Sequence, residues 1–262
     1  HNARKARVPI VNIVGDHATY HTQYDAQLQS DIETVARNVS KWVRTTQETN
    51  KIGLDAAEAI KVAQGTPAQI STLILPADVS WGEGGSAVND FTQPSPEAAS
   101  QTLVNEIAAI LNKSGKKTAI LLGRRVIMEE GLLAASKIAE KTGAKLLTEV
   151  FPTRLQRGAG IPSVERLAYL AEMAVVQLKG FDHLILIDAK APVSFFAYPG
   201  KKSYLVPDEC TLHNLVEIDQ DAMKSLKALV EAVGASYTAP KLEQAKRPNL
   251  PTGKLNAEKI MQ

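Results

Sequence analysis

The run Gly15-Asp16-His17-Ala18-Thr19-Tyr20-His21-Thr22-Gln23-Tyr24-Asp25 carries two of the chain's five histidines. An imidazole titrates near neutral pH, so it can donate a hydrogen bond, accept a proton or release one. Asp16 adds an acceptor to the same segment, and Gln23 adds an amide that both donates and accepts. His17-x3-His21 also has the spacing of two zinc ligands one helical turn apart. Gly15-Asp16 opens a turn rather than a helix, and no third ligand lies close in sequence, so no metal is expected there. The competing reading is a solvated loop with incidental polar residues.

What must position this loop is the segment before it. Residues 8–14 (VPIVNIV) are nearly all apolar and rich in β-branched side chains, as in a strand buried on both faces. Such a strand is expected to be central, with a neighbour on each side. The loop would then leave its carboxyl end, where open parallel sheets bind ligands.

Around it, residues 1–7 read as the last turn of a helix, and 31–38 as a helix with an acidic first turn. Residues 41–46 suggest a short strand, 53–64 an Ala-rich helix closed by Gly65, and 71–75 a buried strand stopped by Pro76. That is about half of what a complete domain needs. Residues 76–96 have three prolines, the run Gly82-Glu83-Gly84-Gly85 and no hydrophobic period, which reads as a linker. A second series follows, with helices at 96–111, 127–141, 163–178 and 221–233. Its strands are 118–122, 145–149, 183–187, 202–206 and 216–218. The alternation implies an α/β fold whose parallel sheet is covered on both faces. A Pro- and Lys-rich tail from Tyr237 leads to a short helix at 256–261.

Other motifs carry less. Gly123-Arg124-Arg125 follows a strand but lacks the second and third glycines of a dinucleotide loop, so a dinucleotide is disfavoured. Gly158-Ala159-Gly160-Ile161-Pro162-Ser163 precedes the expected helix at 163–178, with Ser163 as its cap and Arg154 and Arg157 upstream. An anion could sit there, but an ordinary capped loop is the favoured reading. Phe195, Phe196 and Tyr198 suit an aromatic plug or subunit contact better than substrate stacking. Cys210, the single cysteine, has no partner and no nearby base, and is expected to be inert.

Composition narrows the class. The chain has 262 residues, 44% of them hydrophobic, and 30 Lys and Arg against 28 Asp and Glu. Those values exclude a disordered chain and give no reason to expect nucleic acid. No apolar run approaches the ~18–20 residues of a membrane-spanning helix. The chain starts with His1, which suggests that something was removed or that it is a piece of a longer protein.

Several segments in order resemble a known family: residues 1–14 with the polar loop, Val39-Ser40-Lys41-Trp42, the helix 53–64, and Leu73-Ile74-Leu75-Pro76-Ala77-Asp78-Val79. They are similar to the thiamine-diphosphate-dependent enzymes, of the acetolactate synthase large-subunit type. The resemblance implies parallel-sheet three-layer α/β domains: a partial pyrimidine-binding domain and a complete Rossmann-like middle domain. Residues 1–80 would be the C-terminal half of the pyrimidine-binding domain, 81–95 a linker and 96–235 the middle domain. Residues 236–262 would lead toward a diphosphate-binding domain.

The resemblance further implies a transferase or lyase that decarboxylates or joins 2-oxo acids, with thiamine diphosphate and Mg²⁺ as cofactors. The family's cofactor-activating Glu and its diphosphate- and magnesium-holding segment have no counterpart in these residues, so the chain alone is not expected to catalyse. FAD, held by the middle domain in acetolactate synthases, is not expected with Gly123-Arg124-Arg125. By this resemblance His17 and His21 are the candidate catalytic residues, and Asp16 and Gln23 would contact the substrate. A cytoplasmic homodimer or homotetramer is expected, without nucleic acid or membrane partners. The alternative is a non-catalytic nucleotide-binding or scaffolding protein on the same fold.

Overall fold

The computed structural model describes residues 1–89 and 92–261. Residues 90 and 91 of the expected linker therefore lie outside the described residues. The chain divides into two compact units, His1–Glu97 with Ile218–Gln220, and Ala98–Glu217 with Asp221–Gln262.

The first unit runs α1 (Asn2–Ala6), β1 (Ile10–Asp16), α2 (Ile32–Val39), β2 (Trp42–Thr45), α3 (Ile52–Ala63), β3 (Ile70–Pro76) and α4 (Ala77–Trp81). Its sheet is parallel, in the order β1-β3-β2. The expected central strand is thus an edge strand among the described residues, and β3 has the neighbours instead. Burial agrees with pairing: β3 is buried almost throughout, whereas Ile13 of β1 is 71% exposed. A β-branched apolar run looks alike at the centre and at the edge, because period and composition do not report pairing. Helix α3 packs on β3, where the Ser71 hydroxyl donates to the Ala59 carbonyl at 2.8 Å. Helix α2 starts as expected, with the Asp31 carboxylate accepting from Thr34 N. The stretch expected to be linker from Pro76 onward begins with a helical turn, α4, with Asp78 in its first turn.

The second unit contains α5 (Gln101–Ser114), β4 (Thr118–Leu122), α6 (Glu129–Thr142), β5 (Lys145–Thr148), β6 (Glu165–Arg166), α7 (Ala171–Leu178), β7 (His183–Ile187), β8 (Thr211–Asn214), α8 (Ala222–Val233) and α9 (Ala257–Met261). Its five strands are parallel, in the order β6-β5-β4-β7-β8. Side chains alternate across β4. Ile120 and Leu122 pack with Leu111, Leu132 and Leu226 from α5, α6 and α8. Ala119 and Leu121 face the other way and pack with Ala174 and Leu178 of α7. Helices on both faces of a parallel sheet make this the three-layer α/β arrangement expected of it.

Several expected elements move. Helix α5 begins at Gln101 rather than residue 96, because Ser100 caps it by accepting from Leu103 N. The helix expected at 163–178 is confined to Ala171–Leu178. Ahead of it Glu165 and Arg166 pair with Leu147 and Thr148, so Ser163 caps nothing. The strand expected at 202–206 is reduced to one antiparallel bridge between Val193 and Tyr204. The strand expected at 216–218 lies earlier, at Thr211–Asn214, in register with His183–Leu186. Among the described residues no helix is long and apolar enough to cross a membrane.

Candidate functional site

In the first unit Asp16 is opposite Pro76 in the β1–β3 register, so both carboxyl ends finish side by side. The loop after β1 and the first turn of α4 are therefore neighbours. Thr19 makes the connection: its N–H donates to Asp78 Oδ1 at 2.9 Å and its hydroxyl to Oδ2 at 2.5 Å. The hydroxyl, then the N–H, hold the Asp78 carboxyl below the ordinary carboxylate value.

This junction shapes a recess of about 660 Å³, within the range of small-molecule sites. Asp16, His17, His21, Leu28 and Trp81 are among its walls. The two imidazoles are 5.5 Å apart, centroid to centroid, and inclined by 44°. His21 also lies 5.8 Å from the Tyr24 ring. Asp16 Oδ1 accepts from His17 N at 2.7 Å, which ties the histidine backbone to the strand end. Three of the four expected site residues thus line one recess. Gln23 does not line it: its amide donates to the Tyr20 carbonyl at 2.8 Å, within the loop.

Asp78 and Trp81 were not anticipated as site residues. Both follow a strand that ends in a proline, but only the β1–β3 pairing brings them beside His17. Two acceptors in a loop can also organise a metal, yet the described residues contain no group of three or more His, Cys, Asp or Glu placed to hold one.

The second unit gathers a different set at the carboxyl ends of β4, β5 and β7. Arg124 Nη1 donates to the Asp188 carboxylate at 2.7 Å and to the Asp188 carbonyl at 2.8 Å. Both residues have left-handed backbones, with φ of 38° and 51°. Glu149 Oε1 accepts from Lys190 N at 3.0 Å. Burial pushes the Glu149 carboxyl above its usual value, and the Lys190 N–H only partly offsets this. Gly123 sits between these groups: a Cβ there would come 2.3 Å from the Asp188 carbonyl oxygen and 2.9 Å from Glu149 Oε2. The glycine serves close packing between strand ends. Phe195 contacts Phe151 and Tyr169, each 5.4 Å away, so the expected aromatic group is a cluster drawn from three loops. Cys210 keeps its proton, its thiol pushed up by burial, then by Glu209 and Asp182.

No protein-family model matches the chain. The chain is 50% identical, over 257 residues and 98% of its length, to a Mycobacterium tuberculosis protein described as "Putative acetolactate synthase large subunit IlvX". It spans about half of that curated relative, 49% of its length. A "putative thiamin diphosphate-dependent enzyme" from Mycobacterium smegmatis superposes with a TM-score of 0.73 at 19% identity, covering 92% of this chain and 50% of that one. The thiamine diphosphate-dependent 4-hydroxybenzoylformate decarboxylase of Rhodococcus jostii RHA1 also gives 0.73, at 17% identity, over 98% of this chain and 51% of that one. At such identities the superpositions establish fold, and the sequence match carries the kinship. The chain is thus similar in sequence to about half of a protein described as a putative acetolactate synthase large subunit, and similar in fold to about half of each of two thiamine-diphosphate-dependent proteins.

Proposed function

We propose that these residues serve a thiamine-diphosphate-dependent enzyme that decarboxylates or joins 2-oxo acids, a transferase or lyase of the acetolactate synthase kind. In this reading residues 1–80 are the C-terminal half of its pyrimidine-binding domain and 96–235 its middle domain. Residues 81–95 join the two, and 236–262 lead toward a diphosphate-binding domain. The enzyme is a cytoplasmic homodimer or homotetramer. The observation that carries the reading is the pair His17 and His21, side by side on one recess at the carboxyl ends of β1 and β3.

When bound, thiamine diphosphate supplies the electron sink that cleavage beside a 2-oxo group requires. The recess fits the reacting end of such a complex. It offers imidazoles and apolar walls, and none of its lining residues is a Lys or Arg suited to a diphosphate. Mg²⁺ and the diphosphate therefore belong with residues other than these. His17 and His21 donate hydrogen bonds to the substrate carboxylate or carbonyl oxygen, and one of them carries the proton delivered to or taken from the reacting carbon. Asp16 fixes His17 through its backbone N–H, and Leu28 and Trp81 present apolar surface at the same recess. Gln23 reaches substrate only if it releases the Tyr20 carbonyl.

The test is an assay of the natural full-length polypeptide with pyruvate, thiamine diphosphate and Mg²⁺. Release of CO₂ with formation of acetolactate or an aldehyde is expected. No turnover of pyruvate or of a panel of aliphatic and aromatic 2-oxo acids would overturn the proposal.

A further inference from the structure

Five aromatic side chains of the second unit form one connected row. Phe151, Tyr169 and Phe195 meet at 5.4–6.0 Å between ring centroids. Phe196 stands edge-on to Phe195 at 4.6 Å, and Tyr198 continues the row 6.5 Å beyond Phe196. The rings come from the segments that follow β5, β6 and β7, at the carboxyl end of the sheet.

Each of the five residues is 50–61% exposed. An aromatic side chain carries about 150–250 Å² of surface, so the exposed halves together present roughly 500 Å². A contiguous apolar patch of that size marks an interaction site. Leu170 and Tyr204, both at least half exposed, widen it toward the ~800 Å² that each partner gives to a standard interface.

The patch is also held in place. Val193 and Tyr204 form an antiparallel bridge. Beside it, Ser194 N–H donates to the Ser203 carbonyl at 2.8 Å and Leu205 N–H to the Pro192 carbonyl at 3.0 Å. The loop that carries Phe195, Phe196 and Tyr198 is thus closed at its base like a hairpin, which keeps its rings at the surface. Aromatic anchors fixed in this way lose little freedom on docking, and such residues dominate the energetics of interfaces.

Charge decides what can cover the patch. The ion pairs that flank it are Lys201 with Glu172 at 2.9 Å and Lys202 with Asp208. Cations and carboxylates are therefore equal in number at the rim. A strongly charged partner of either sign gains nothing there. A second copy related by a two-fold axis brings carboxylates to these cations and cations to these carboxylates. An aromatic centre, a mixed polar rim and this area together match one side of an isologous contact.

We propose that this aromatic face is the contact between two copies of the chain, paired about a two-fold axis through Phe195 and Phe196. It gives the homo-oligomer of the proposed function a specific face, and it rests on that reading for the presence of a second copy.

The test is sedimentation velocity of the chain at an ionic strength of about 0.15 M. A dimer with a Kd below about 10 μM is expected. Phe195→Ser combined with Phe196→Ser should raise that Kd at least about a hundredfold, as loss of two central aromatic anchors does. Tyr237→Ser, at an exposed aromatic outside the row, should leave it unchanged. Melting by circular dichroism checks that the double variant folds. If it does not, Tyr198→Glu, which places an unpaired charge in the contact, carries the same test. A chain that stays monomeric up to about 100 μM overturns the proposal, whether the face is bare or serves a different partner. A dimer indifferent to these substitutions overturns it as well. Neither result bears on the pyruvate assay, which tests the chemistry of the full-length enzyme separately from this face.

Discussion

Thr19 and Asp78 lie 59 positions apart and are joined by two hydrogen bonds, backbone N–H to one carboxylate oxygen and hydroxyl to the other. Thr19 sits midway between His17 and His21. Asp78 belongs to the first turn of α4, directly after the central strand β3. The histidine loop is therefore anchored to the best-buried strand of its unit by a single carboxylate.

Asp78→Ala removes both bonds. Local opening of residues 17–25 should become easier, and their amide hydrogen exchange several-fold faster. Exchange at Leu73 and at Leu121 in the second unit should not change. Unaltered exchange in the loop would show that the anchor is not what orders it.

The same carboxylate gives a pH dependence. Its pKa is lowered in the folded protein, so its contribution is fully present above the unfolded value of about 3.9 and is lost as pH falls through the lower folded value. Protection of residues 17–25 should hold from neutral pH down past about pH 4 and fail only in stronger acid. Exchange measured by mass spectrometry across that range checks it, and Thr19→Val, which removes the larger of the two stabilising bonds, should move the failure upward.

Gly123→Ala tests the close packing at the carboxyl ends of β4 and β7. The added Cβ meets the backbone oxygen of Asp188, which has no side-chain freedom with which to retreat. A loss of about 1–3 kcal/mol in urea unfolding is expected, as for overpacking generally. Gly158→Ala makes a poor control because φ there is 134°. Gly15→Ala is a better one, since a Cβ there meets nothing within 4 Å.

Glu149 runs the opposite way to Asp78. Its raised pKa means that its favourable contribution is complete below the unfolded value of about 4.3 and is lost as pH rises through the folded one. Glu149→Gln keeps an acceptor for Lys190 N and removes the buried charge. The variant should be more stable than the parent at neutral pH and equal to it near pH 4, within error; chemical unfolding at both values decides.

For the full-length enzyme, His17→Ala and His21→Ala should each lower turnover by about 10²-fold or more, with melting temperature unchanged. Gln23→Ala should cost much less, because its amide is committed to the Tyr20 carbonyl. Equal turnover in the two histidine variants and the parent would remove both from the site.

How much of this was legible beforehand varies by element. Residues 183–187 read as a strand of that length, and β7 occupies the same span because four apolar residues between His183 and Asp188 leave no other register. The helix α8 was equally plain, with Asp221 capping it through the N–H groups of Met223 and Lys224. The stretch 163–170 was not. Its apolar residues Val164, Leu167 and Leu170 fall at helical spacing, yet a two-residue strand forms beside β5, and Val164 and Leu167 are buried by that pairing. Helical periodicity was present, and tertiary pairing overrode it.

The polar loop with His17 and His21 was visible from residue types alone, as was its place after a strand, because both are local properties of the chain. Local patterning also determined the α/β class and most helix starts. Only the folded structure decided that β1 is an edge strand among the described residues, that β3 is its neighbour, and that Asp78 therefore receives Thr19. Strand order joins residues some sixty positions apart, as Asp16 and Pro76 are joined. The periods of 2 and 3.6 that a sequence displays describe which face a side chain takes, and carry no information about which strand lies alongside.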